Sequence, residues 1–264
     1  MLKKILLLLL LTGSCSLAWS APPDKLPVQP QQVEPVGPDQ TTPQAALEDF
    51  LYAFLLQDAE FLWQLLPPEQ QQKLQGRQHT PGQVITQLQK DMRKDKHIES
   101  ARKLGVILDD PARTAELIRL LAAVPGIYVY QHGKYFPVTD IVYQLLQQKL
   151  TDIPALPVLN QSSPHAVAAA FIHAMAIQDH LAIWLLASPA SRQEAVKRCG
   201  NSKLALAMLK QKLLEKQDSP EMQKIRSADK DRFLKRMAIQ YILSNRKAMI
   251  KLDGKYYIDY LAFL

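Results

Sequence analysis

The chain repeats itself, and that repetition limits the folds open to it more than any other property of the sequence. Sliding it against itself by 121 positions sets Thr42-Pro43-Gln44-Ala45 on Ser163-Pro164-His165-Ala166. With no gap, Phe50 then meets Phe171, Ala53 meets Ala174, Gln57-Asp58 meets Gln178-Asp179, Trp63 meets Trp184, Leu65 meets Leu186 and Pro68 meets Pro189. The register survives to the far end of each copy, where Gly133-Lys134-Tyr135 falls on Gly254-Lys255-Tyr256. Self-similarity at a fixed offset implies one structural unit used twice. The expected organisation is repeat module 1 over 42–150, a linker over 151–162 and repeat module 2 over 163–264.

Each copy opens with a helix signature. Thr42 and Ser163 are N-cap residues whose hydroxyls accept from orphan N–H groups, and the following Pro sits where its missing N–H is harmless. Ala46, Phe50, Ala53 and Phe54, mirrored by Val167, Phe171, Ala174 and Met175, form one helix face. Asp58 and Asp179 then cap a short second helix carrying Trp63 or Trp184 and ending at Pro68 or Pro189. A third helix is expected from Thr80-Pro81 and from Asn201-Ser202, a fourth from Asp110-Pro111 and from near Ser227. Afterwards the apolar period changes to two, and His132-Gly133 and Asp253-Gly254 each sit between short alternating runs, as in a tight hairpin. The fold class expected is α+β, predominantly helical, with about four helices and a C-terminal β-hairpin in each of two tandem homologous modules.

The stretches Thr42 to Pro68 and Ser163 to Pro189 resemble the opening helices of nuclear transport factor 2-like domains, especially small exported ones. Gly133-Lys134-Tyr135-Phe136 and Asp253-Gly254-Lys255-Tyr256-Tyr257-Ile258 resemble the closing strand of the same domains. The resemblance implies a longer sheet bent around the helices. It carries over no catalytic residue, because such domains serve both as enzymes and as binding modules.

The first residues read as an export signal over 1–20: Lys3 and Lys4 precede the apolar run Ile5 to Leu11, and Ala18-Trp19-Ser20 is a small-x-small cleavage site. Leu11-Thr12-Gly13-Ser14-Cys15 is similar to a lipobox, so cleavage after Ser20 and lipidation of Cys15 stand as alternatives. The implied location is periplasmic or secreted, or membrane-anchored through Cys15. No later apolar run reaches the roughly 20 residues of a membrane-spanning helix, so no transmembrane span is expected in the mature chain. Residues 21–41 carry six Pro and several Gln without apolar periodicity, which reads as an extended, disordered tether.

With 47% of its 264 residues apolar, the remainder can bury its own cores. Charge divides the two copies. Residues 42–162 hold 12 Lys plus Arg against 13 Asp plus Glu, whereas residues 163–264 hold 17 against 9. The basic candidates for a binding face are Lys203, Lys210, Lys212, Lys230, Arg232, Lys235 and Arg236. Outside the cytoplasm such a face implies an envelope protein or an anionic envelope component rather than nucleic acid.

Chemistry-bearing patterns are thin by comparison. His165, His173 and His180 are spaced too widely along a continuous helix to share one ion, so no metal is expected, and no cofactor motif is present. Asp58 and Asp179 are expected as caps, Trp63 and Trp184 as core, and Cys199 as a small residue at a helix end. Ser100, Ser227 and Ser244 each begin an S-x-x-K run, but none is accompanied by the other elements of penicillin-recognising enzymes. No catalytic residue is assigned. The expectation is a non-enzymatic binding or scaffolding protein of the envelope, and the alternative is a small-molecule-binding or hydrolytic domain with a pocket in each module.

Overall fold

The computed structural model describes residues 37–76, 80–154, 156, 159–245 and 247–259, so the export signal, Cys15 and most of the tether lie outside the described residues. The chain divides into two compact units, whose described parts are 37–156 and 159–259. It is predominantly helical, and none of its helices is long and apolar enough to cross a membrane, among the described residues.

The N-terminal unit runs α1 (Pro43–Leu56), α2 (Ala59–Gln64), α3 (Pro68–Gln75), α4 (Pro81–Met92), α5 (Asp95–Leu108), α6 (Pro111–Ala122), β1 (Tyr128–Gln131), β2 (Lys134–Pro137) and α7 (Thr139–Leu150). α1 starts where it does because Thr42 Oγ1 accepts from the Ala45 N–H at 3.1 Å. It stops at Gln57, which turns left-handed with φ 56°. That conformation is uncommon for a side chain with a Cβ. Here the amide is used, Gln57 Nε2 donating to the Met92 carbonyl at 2.9 Å and tying the end of α1 to the end of α4. Asp58 then caps α2, accepting from the Phe61 N–H at 3.0 Å. Leu47, Leu51, Leu55 and Phe50 are all buried, so α1 is apolar on several sides, as a central helix must be. It packs against α2, α5, α6 and β2.

The C-terminal unit runs α8 (Pro164–Ile177), α9 (His180–Leu186), α10 (Pro189–Cys199), α11 (Ser202–Glu215), α12 (Pro220–Lys230), α13 (Arg232–Ser244), β3 (Met249–Leu252) and β4 (Lys255–Ile258). Its central helix is α8, capped by Ser163 and ended by Gln178 at φ 59°, with α9, α12, α13 and β4 around it. Gln178 Nε2 donates to the Leu213 carbonyl at 2.8 Å, and Asp179 caps α9 through the Ala182 N–H at 2.8 Å. Val167, Phe171, Ile183, Leu186, Ile239 and Ile258 meet in one buried cluster.

Each unit holds one antiparallel hairpin among the described residues, β1 with β2 and β3 with β4. The connecting residues all have positive φ, His132 at 51°, Gly133 at 78°, Asp253 at 50° and Gly254 at 79°. This is the signature of the two-residue turn whose twist matches its strands, and His is a rarer choice than Asp before the Gly.

Three expectations need correction. Seven helices occur in the N-terminal unit and six in the C-terminal unit among the described residues, not about four in each. α3, α10 and α12 were concealed because their apolar stripes are short, α5 because no side chain caps its start, and α7 follows the hairpin, so that unit does not close on its strands. The last helix of the C-terminal unit begins at Arg232 rather than near Ser227. Asp231 ends α12 with its backbone N–H, which donates to the Ser227 carbonyl, and caps α13 with its carboxylate, so Ser227 lies within α12. Finally, the edges of the presumed tether and linker are built into the units. Gln40 and Gln161 are each 5% exposed. Their carbonyls accept from Tyr135 and Tyr256 N–H, and their amides donate back to the same residues' carbonyls.

Candidate functional site

The basic residues of the C-terminal unit fall into two groups by the helices that carry them. Lys203, Lys210 and Lys212 stand on α11, which packs against α9 and α10. Lys230 ends α12, and Arg232, Lys235 and Arg236 stand on α13, these two helices packing on each other and on α8. Lys212, Lys230, Arg232 and Arg236 are exposed, whereas Lys203, Lys210 and Lys235 are half-buried.

Lys235 has an internal task. Its Nζ lies 2.6 Å from Asp229 Oδ1, while His173 Nδ1 on α8 lies 2.9 Å from Oδ2 of the same carboxylate. Asp229 thus links α8, α12 and α13. Burial pushes its pKa up, but the hydrogen bonds and positive charge of Lys235 and His173 outweigh that and hold it below the usual carboxylate range. A folded pKa below the unfolded one adds stability that is complete above the unfolded value of about 3.9 and is lost as pH falls through the folded value. Asp229→Asn is therefore expected to destabilise by about 1–2 kcal/mol at neutral pH. In urea titrations the gap to wild type should close below about pH 4. An equal gap at both pH values would contradict the linkage.

A second polar cluster lies in the N-terminal unit. Tyr143 Oη on α7 is 3.2 Å from His97 Nδ1 on α5, and both rings pack edge-on against Phe54 of α1. Burial lowers the His97 pKa, with Lys96 and Lys94 adding to the effect, and burial raises that of Tyr143. Each shift favours the uncharged form. Beside them, Gln147 donates to Ser100 Oγ, which donates to the Lys96 carbonyl one turn earlier. The arrangement is a polar seam between α5 and α7.

An open groove of about 590 Å³ runs between α1 and α6 and is lined by Gln44, Ala115, Ile118, Arg119, Ala122 and Ala123. Among the described residues Arg119 is the single ionisable group of that lining. Cys199 Sγ lies 3.2 Å from Met208 Sδ, and burial raises its pKa despite Lys212 and Arg198, which keeps the thiol protonated at neutral pH. Ser227 and Ser244 donate to the carbonyls of Gln223 and Tyr241 within their own helices. Among the described residues no three His, Cys, Asp or Glu side chains gather around a metal position, and His173 is engaged with Asp229.

Two residues escaped sequence reasoning. Phe233 and Met237, one turn apart on the outer face of α13, are 68% and 41% exposed. The signal was present, because Ala238, Ile239 and Ile242 set the buried face and leave these two on the opposite side. No protein-family model, curated protein or solved structure matches this chain.

Proposed function

We propose that the chain is an exported, non-enzymatic binding or scaffolding protein of the cell envelope, made of two copies of one module, whose C-terminal copy meets an anionic envelope component. Paired local bonds support the duplication. Thr42 and Ser163 cap equivalent helices, Gln57 and Gln178 reach Met92 and Leu213, and Gln40 and Gln161 embrace Tyr135 and Tyr256, all at the same offset of 121. The likeness of the opening helices to nuclear transport factor 2-like domains suits a binding module as well as it suits an enzyme.

The observation that carries the reading is the charge placed on this shared framework, near balance in residues 42–162 and 17 cations against 9 anions in residues 163–264. Packing does not require that difference, since the excess lies on exposed positions such as Lys212, Lys230, Arg232 and Arg236. Its reach is about 8–10 Å at moderate salt, enough to gather an anionic surface. The test is a salt titration of the full chain binding to dextran sulfate. Affinity should fall steeply with added salt; salt-insensitive binding, or none at low salt, would overturn the reading.

A further inference from the structure

The corner between α12 and α13 carries more than charge. Asp231 ends one helix and begins the next with no intervening loop, its carboxylate accepting from the Phe233 and Leu234 N–H groups at 2.8 and 2.9 Å. Phe233 therefore stands at the start of α13, where the chain turns, and is more exposed than any other large apolar residue among those described. Met237 follows it one turn later. Arg232 and Arg236 repeat with the same four-residue spacing along the adjoining edge of the exposed face, and Lys230 precedes them. The nearby acids are occupied within the unit, Asp231 as a cap and Asp229 by Lys235 and His173.

The N-terminal unit supplies a comparison within the chain. At the same offset, α6 buries Leu117, Ile118 and Leu121 as α13 buries Ala238, Ile239 and Ile242. On the outer face, however, Phe233 and Met237 stand opposite Ala112 and Glu116, and Arg232 and Arg236 opposite Pro111 and Ala115. A helix of this kind therefore folds onto its unit without an aromatic facing outward, and the two arginines that α6 does expose, Arg113 and Arg119, do not stand at the positions of Arg232 and Arg236.

We propose that the α12–α13 corner is a peripheral anchor for an anionic phospholipid surface, with Phe233 and Met237 entering the acyl boundary and Lys230, Arg232 and Arg236 meeting headgroup phosphates. This deepens the reading of the C-terminal unit as an anion-binding copy and rests on it. A basic helix with a short apolar edge suits the interface between headgroups and acyl chains, where buried apolar area and attraction to anionic lipid add together. A protruding side chain needs no shaped pocket in a fluid surface, whereas a protein partner would have to provide one. Arg also pairs bidentately with phosphate.

The test is co-sedimentation of the full chain with vesicles of phosphatidylcholine alone and of phosphatidylcholine with phosphatidylglycerol in equal parts, run beside the dextran sulfate titration. Binding is expected to the anionic vesicles only, and Phe233→Ala with Met237→Ala should weaken it by about tenfold or more while leaving dextran sulfate binding unchanged. Phe233→Trp gives a second readout, since its fluorescence should shift to shorter wavelength on anionic vesicles. Vesicle binding unaffected by the double substitution, or absent while dextran sulfate still binds, overturns the anchor and leaves an acidic protein or polysaccharide as the partner. Loss of both kinds of binding in the unmodified chain removes the anion-binding reading and the anchor with it.

Discussion

Replacing Trp63 with alanine is expected to lower the unfolding free energy of its unit by about 3–5 kcal/mol, and Trp184→Ala to do the same in the other unit. Trp63 is packed in a cluster with Leu66 and Val84, against which Ile85 and Leu88 also lie, so it joins α2 to α4. Trp184 is 4% exposed in α9, a helix whose run from Leu181 to Leu186 is entirely buried. An indole removed from such a site leaves a cavity that short helices on either side close poorly. Urea titration followed by circular dichroism measures the loss directly. A tryptophan kept for stacking on a ligand would behave differently, with stability changed by well under about 1 kcal/mol. That outcome would make both residues candidates for ligand binding.

What the sequence made legible was whatever had a local chemical cause. The letters Gln-Asp recur because the Gln turns left-handed and reaches across to the next long helix, while the Asp caps the helix that follows. Thr-Pro, Ser-Pro and Asp-Gly likewise have a conformation written into them. Other elements were lost for separate reasons. α5 buries Ala101, Leu104, Ile107 and Leu108 along one face but has no side-chain cap to mark its start, whereas α12 opens on the Ser219-Pro220 signal but has only one strongly buried position, Met222, and so shows no clean stripe. The docking of Gln40 and Gln161 was missed although matching letters announce it. Asp39-Gln40-Thr41 matches Asn160-Gln161-Ser162 at the same offset, and Asp39 and Asn160 each accept from the N–H and hydroxyl two residues on. Proline and glutamine composition drew the boundary too late.

The basic surface was legible as a count and not as a place. Composition identifies an excess of cations in residues 163–264, but which of them are spent within the fold depends on partners distant in the sequence. Lys235 is drawn inward by Asp229, whereas Arg236 beside it faces solvent. The apolar half of the same corner follows from Ala238, Ile239 and Ile242, whose burial leaves Phe233 and Met237 on the opposite side of α13.

The account therefore turns on where the binding charge sits, and two variants of equal formal charge separate position from total. In one, Lys212, Lys230, Arg232 and Arg236 of the C-terminal unit are all replaced by Glu. In the other, Lys73, Lys90, Lys134 and Lys149, exposed residues of the N-terminal unit, are replaced in the same way. Each set takes the formal net charge from +7 to −1, four changes of two units apiece. With cations near an anionic surface contributing about 1 kcal/mol each, the first set should weaken binding to dextran sulfate at low salt by at least about a hundredfold. The second should weaken it by about tenfold at most, through long-range repulsion that salt screens. Equal losses in the two variants would mean that only total charge matters, and the C-terminal unit would have no claim to be the binding copy.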